Sequence, residues 1–206
     1  EILENGWSGP WSFFSESDLK KIYDVIFEKY DNLIEFDFNN KNLVEKLKSG
    51  KIKSTQKTVP SNLLINDVMN FAKNTTITNF FKKYFSSKEI KLSSFSDFRL
   101  NFPSTEKNNA TGWHQDIETF YTVIDDDFNK NSLAMWVSLT GSTVNNGVEF
   151  LNKSHKTKKI YNTVFSNQKI KLNKIITDNE VENFKIETFS SNPGDVVFID
   201  TFVLHR

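Results

Sequence analysis

The sequence predicts a mainly β fold, a barrel braced by helices that come first in the chain. Apolar residues recur at helical spacing in the first part. From about residue 90 the texture changes to short alternating or continuous apolar runs. Phenylalanine is abundant, 20 of 206 residues, and the aromatic share of 14% suits a β-rich core filled by large side chains. Helices followed by strands is the order expected when helices buttress the outside of a β core. No internal repeat and no linker divides the chain. Residues 1–206 therefore read as one domain, with a helical buttress over about 15–85 and a β core over about 90–206.

Residues 15–30 predict an amphipathic helix, since Leu19, Ile22, Tyr23, Ile26, Phe27 and Tyr30 form one apolar stripe. Ser15 suits the amino-terminal cap with Asp18 as reciprocal partner, and Phe14 suits a hydrophobic staple on Leu19. A shorter helical stretch runs from Leu43 to Lys48 and stops at Gly50. After Pro60, Leu64, Val68 and Phe71 predict another helix, and Phe80 to Phe85 a further one. Phe98, Leu100 and Phe102 then alternate with Arg99 and Asn101 until Pro103 breaks the strand. The polar stretch Ser104 to Gly112 reads as a loop. Later strands are expected at Thr119–Ile124, Leu133–Thr140, Val148–Leu151, Lys185–Phe189 and Val196–Ile199. Asn145-Asn146-Gly147 suits a hairpin turn because Asn and Gly tolerate positive φ. The last run is launched by the turn Pro193-Gly194-Asp195.

Composition excludes several function classes. The formal net charge is zero and no basic run is dense enough for nucleic-acid binding. No stretch approaches the roughly 20 apolar residues of a membrane span. There is no cysteine, so disulfides and thiolate chemistry are absent. These features read as a soluble, cytoplasmic protein. Only Arg99 and Arg206 are arginine among 26 basic residues. Guanidinium grips a carboxylate in bidentate fashion and lysine is a poor stand-in, so both positions matter.

His114-Gln115-Asp116 is the feature that points to chemistry. An imidazole and a carboxylate two residues apart, joined by the distant His205, are the ligand set of the two-histidine, one-carboxylate facial triad. Such a triad holds Fe(II) on one face and leaves the opposite positions open. His205 follows the apolar run Val196-Val197-Phe198-Ile199, which would bring the second imidazole toward the site. The competing reading is a His–Asp hydrogen bond on a loop with an unrelated histidine at position 205.

Further segments occur in a recognisable order. They are Trp113-His114-Gln115-Asp116, Trp136-Val137-Ser138-Leu139, Asn146-Gly147-Val148-Glu149-Phe150-Leu151, Ser154-His155-Lys156, and Pro193-Gly194-Asp195 through His205. The opening Glu4-Asn5-Gly6-Trp7, with Phe14 and a helix after it, fits the same pattern. In these segments the chain resembles the phytanoyl-CoA dioxygenase family of Fe(II)/2-oxoglutarate oxygenases. The resemblance covers nearly the whole chain and is loosest over about residues 35–90. It implies a double-stranded β-helix (jelly-roll, cupin-like) core, a bound Fe(II), 2-oxoglutarate and O₂ as co-substrates, and hydroxylation of a small-molecule substrate. Asp116 argues for hydroxylation, because halogenating relatives carry a small residue at the matching position.

The metal ligands expected on this basis are His114, Asp116 and His205. Trp136 stands either beside the 2-oxoglutarate or as a core tryptophan. Gln115, between two ligands, is a candidate contact for co-substrate or substrate, and Trp113 is expected to pack. Arg99 reads either as an anion clamp for 2-oxoglutarate or as an outer-face ion pair. His155 reads as a hydrogen-bonding partner ahead of a fourth ligand. Arg206, adjacent to His205 on a strand, is expected to aim away from the iron. In the family the basic clamp for the far carboxylate comes about one strand after the last ligand. The functional protein is therefore expected to continue past Arg206 with that strand and clamp. A non-catalytic jelly-roll module that binds a small molecule or sugar over a vestigial metal site is the competing function. A cupin-type metal enzyme without 2-oxoglutarate fits less well, since the chain has no His-x-His pair.

Overall fold

The turn at Asn192 to Asp195 starts the most buried strand. Asp195 N–H donates to the Asn192 carbonyl (3.1 Å), and the Asp195 carboxylate accepts from Asn192 N–H (2.7 Å). Gly194 takes the positive φ of 88° that this proline–glycine turn demands. The computed structural model describes residues 1–21, 74–91, 112–117, 132–139, 141–144, 147–162, 164–165 and 174–206. The chain divides into two compact units, Glu1–Ser12 with Pro103–Arg206, and Phe13–Phe102.

In the first unit, helix α1 (Ile2–Asn5) leads into strand β1 (Trp7–Ser12). Strands β2 (Leu133–Val137) and β3 (Glu149–Leu151) follow, then the 3-10 turn Ser154–Thr157. The antiparallel pair β4 (Val164–Phe165) and β5 (Lys174–Ile175) precedes helix α2 (Asp178–Val181), β6 (Ile186–Thr188) and β7 (Asp195–Asp200). One antiparallel sheet has the order β1-β7-β2. Trp7 lies opposite Ile199 and Trp136 opposite Val197. Every residue of the central strand β7 is buried.

The second layer is built on β3, which pairs with β6 on one edge. Its other edge bonds the segment 204–206: Glu149 and Arg206 exchange both backbone hydrogen bonds, and Leu151 N–H donates to Leu204 O. That segment in turn bonds His114, which exchanges N–H···O bonds of 3.0 and 3.1 Å with His205. Beyond it, Ile176 N–H donates to the Trp113 carbonyl (2.9 Å). All of these pairings are antiparallel where a bridge forms.

Alternation sorts the side chains of this layer onto two faces. Val148, Phe150, Phe189, Val197, Ile199 and Val203 make one buried cluster, so the two sheets pack on one another through it. Trp7 stacks on Phe150 (centroids 4.9 Å apart, planes 9°) and on Phe189 (5.8 Å). Fully burying a side chain such as Phe150 contributes about 1.5–3 kcal/mol. The opposite face carries Trp113, Leu151, Tyr161, Ile176, Val181 and Leu204, and Phe184 packs against it.

Gly6 ends α1 at φ 90°, and its N–H donates to the Ile2 carbonyl. A Cβ there would stand 2.6 Å from Val203 Cγ2 and 2.7 Å from His155 Nδ1. Close approach to two side chains thus requires glycine at this position.

In the second unit, residues 16–21 are helical. Ser15 N–H and Oγ donate to Asp18 Oδ2 (3.0 and 2.7 Å), and Asp18 N–H donates to Ser15 Oγ (3.3 Å), the reciprocal cap that the sequence predicts. These bonds hold the Asp18 carboxyl below its usual range. Phe14 and Leu19 are both buried. Helix Thr75–Tyr84 extends the one expected from Phe80, because Asn74 Oδ1 caps it at Thr76 N–H and Ile77 N–H.

The strands expected at 133–140, 148–151, 185–189 and 196–199 are all present, with ends shifted by one to three residues. The expected strand to Thr140 ends at Val137, where Ser138 turns to the Gly194–Asp195 backbone. Strand β1 goes unforeseen, and it carries Gly9 and Pro10 within it. It is accommodated by a register shift between Ser8 and Trp11 at the sheet edge. The helices expected at Leu43–Lys48 and after Pro60, and the strands Phe98–Phe102 and Thr119–Ile124, lie outside the described residues. So do Asn145, Asn146 and Arg99. No helix of the described residues is long and apolar enough to cross a membrane.

Candidate metal centre

Among the described residues, His114, Asp116 and His205 each offer one ligand atom, and these atoms lie within 4.8 Å of one another. An isolated antiparallel bridge between residues 114 and 205 explains the convergence of the two histidines. The backbone exchange between His114 and His205 puts their rings side by side, centroids 4.2 Å apart and tilted by 49°. Phe150, opposite His205 on the other side, lies 6.2 Å from its ring. Asp116 and Ile117 are helical, and Ile117 N–H is tied to the Thr201 carbonyl (3.0 Å).

The ring nitrogens are sorted by their partners. His114 Nδ1 lies 3.0 Å from the Gly112 carbonyl and His205 Nδ1 lies 3.1 Å from the Val203 carbonyl. A carbonyl only accepts, so Nδ1 carries a hydrogen in each ring, and Nε2 is the nitrogen turned toward Asp116. His114 Nε2 and His205 Nε2 lie 3.9 and 3.6 Å from Asp116 Oδ1. These separations exceed a hydrogen bond, which weakens the reading of this cluster as a simple His–Asp pair. A cation with bonds of about 2.1 Å at right angles would set its ligand atoms ~3 Å apart, a small side-chain adjustment away. Both histidines are buried and the Asp116 side chain is partly open. Two imidazoles and one carboxylate, with both Nδ1 atoms anchored on the main chain, fit a divalent metal.

A sequence profile for the phytanoyl-CoA dioxygenase (PhyH) family matches residues 16–206. The chain belongs to that family. No curated protein matches it. Phytanoyl-CoA dioxygenases fall within the Fe(II)/2-oxoglutarate oxygenases and share a cupin-type fold, with which the antiparallel sheets of this chain agree.

The other residues singled out from the sequence of this phytanoyl-CoA dioxygenase relative are spread around that centre. Trp136 lies on β2 and meets Phe189 edge to face (5.7 Å) on the inter-sheet side. Gln115 turns its amide to main-chain groups. It donates to Phe202 O (2.7 Å) and Lys159 O (3.0 Å) and accepts from Tyr161 N–H (3.0 Å). Trp113 is buried in the Leu151–Leu204 cluster. Arg206 pairs with Glu149 and lies over the Trp113 indole (4.3 Å), on the face that Leu204 also occupies. His155 is buried outside the ligand group, its Nε2 3.2 Å from the Leu3 carbonyl and its Nδ1 without a partner. Burial pushes its pKa down, the Leu3 carbonyl and Asp200 oppose this, and Lys158 and Lys156 add to it.

Two supports escape sequence reasoning. Ser154, fully buried, accepts from Leu204 N–H (2.9 Å) just before His205. The Glu149–Arg206–Trp113 stack ties the two histidine-bearing segments together on the far face. Strand alternation around positions 113 and 206 is the signal that could have suggested the second.

Proposed function

We propose that this chain is an Fe(II)- and 2-oxoglutarate-dependent dioxygenase that hydroxylates a small molecule, with His114, Asp116 and His205 as the metal ligands. The observation that carries this is the gathering of three ligand atoms within 4.8 Å, with both imidazole Nδ1 atoms held by main-chain carbonyls. The two antiparallel sheets serve as the halves of a jelly roll, within one oxygenase domain. Fe(II) with 2-oxoglutarate and O₂ supplies the oxidising chemistry, as in the family.

The protein's own residues supply position and shielding. His114 and His205 present neutral nitrogens, and Asp116 offsets part of the metal's charge. Phe150, Phe189 and Trp7 exclude water between the sheets behind the histidines. Trp136 forms an aromatic wall for the co-substrate, and Arg99 is the candidate that the sequence offers for its far carboxylate. Keeping a carboxylate at position 116 favours hydroxylation over halide delivery.

The test is succinate formation from 2-oxoglutarate by the protein with Fe(II) and O₂, alone and across a panel of metabolites. Slow turnover, faster with the true substrate and abolished by His205→Ala, is expected. Arg99→Ala should raise the KM for 2-oxoglutarate. Bound iron with no succinate under any condition would support the non-catalytic binding module instead.

A further inference from the structure

Gln115 stands between the two ligands of the short motif and is 3% exposed. Its amide has two N–H groups and one oxygen, and all three parts are used. The N–H groups reach Phe202 O and Lys159 O, and the oxygen receives Tyr161 N–H. We infer that Gln115 is a positioning residue for the metal centre, a splint that sets the spacing between the His114–Asp116 segment and His205. The inference rests on the metal reading above.

Phe202 belongs to the turn that leads into His205. That turn is closed by Val203 N–H on Asp200 O (2.9 Å) and by Phe202 N–H on Asp200 Oδ1 (2.9 Å). Val203 then supplies the carbonyl that orients His205 through Nδ1. One side chain from the first ligand segment thus grips the main chain two peptide units upstream of the last ligand. The same amide also holds the 159–161 stretch, which no backbone bond of residues 114–117 reaches among the described residues.

Chemistry restricts what can replace it. A carboxylate would turn acceptors toward two carbonyl oxygens, and a thioether would satisfy none of the three partners. Asparagine keeps the amide and loses about 1.5 Å of reach, roughly one C–C bond. Each change leaves buried main-chain groups without partners. The packed sheets do not depend on Gln115, since the inter-sheet cluster is built from other residues. The fold can therefore persist while the ligand atoms lose their spacing.

The experiment compares the full chain with Gln115→Met and Gln115→Asn, using anaerobic Fe(II) titration, the Co(II) absorption spectrum and apo-protein melting. Ser191→Ala is the control, since it breaks a buried bridge to Ser138 and Ser142 (2.9 and 2.7 Å) outside the ligand segments. Gln115→Met should weaken Fe(II) binding on the order of tenfold, as loss of an outer partner of a metal site does, and change the Co(II) bands. Ser191→Ala should lower the melting temperature and leave metal affinity and spectrum alone. If Gln115→Met fails to fold, Gln115→Asn gives the same reading. A folded Gln115 variant with wild-type affinity and spectrum overturns the splint and leaves the metal site standing. A wild-type chain that binds no Fe(II) overturns the metal reading, and the splint with it.

Discussion

His155 shows how a single side chain can be strongly constrained without serving as a ligand. It is packed against Gly6 and bonded to the Leu3 carbonyl, within the electrostatic reach of Asp200, Lys158 and Lys156. Its folded pKa lies below the usual 6.5, chiefly because of burial, so the unfolded chain takes up a proton more readily. The associated stability is complete above 6.5 and is lost as the pH falls through the lowered value. Urea denaturation between neutral pH and about pH 5 should show a falling midpoint, with a shallower fall in His155→Phe. An identical slope in that variant would assign the acid sensitivity to other groups. The metal-ligand candidates were readable from sequence because donor chemistry is a property of residue type. The bonding of Gln115 was not, since its three partners lie 44, 46 and 87 positions away.

At the scale of elements, α1 and the 3-10 turn Ser154–Thr157 meet at Gly6. Lys156 Nζ bonds Glu4 Oε2 (2.7 Å), and Lys153 N–H donates to the Asn5 carbonyl (3.1 Å). Gly6→Ala would combine a positive φ with contacts of 2.6–2.7 Å to Val203 and His155, so a loss of about 2–4 kcal/mol is expected in chemical denaturation. A change within about 0.5 kcal/mol would mean that both neighbours move aside freely. Strand β7 was legible because a Pro-Gly turn precedes an uninterrupted apolar run, whereas β1 carries its glycine and proline inside the strand. Short elements such as β4 and β5, of two residues each, carry too little pattern to be read at all.

Across the whole molecule, the two sheets are joined by aromatic rings. Phe150 is fully buried, stacks on Trp7 and Phe189, and neighbours His205. Phe150→Ala should cost about 3–5 kcal/mol by cavity formation, read as a lower denaturation midpoint. Unchanged stability would show that the layers repack without this ring. Strand texture made the antiparallel strands of the later part of the chain legible. The pairing of strands was not, because alternation names a face without naming a neighbour. That is why the backbone pairing of residue 114 with residue 205, and of 205 with 150, becomes visible only in three dimensions.

The pairing of β1 with β7 joins residues near opposite ends of the 206-residue sequence, Trp7 opposite Ile199. On a ribosome, the first strand must wait through the synthesis of all the intervening residues before its neighbour exists. The His114 segment likewise waits for the segment that carries His205. Contacts this distant along the chain make folding slow, and the waiting strand exposes an unpaired edge meanwhile. Such a chain is most exposed to mispairing while it is being made, and its yield in cells should respond more to growth temperature and chaperone supply than its final stability would suggest.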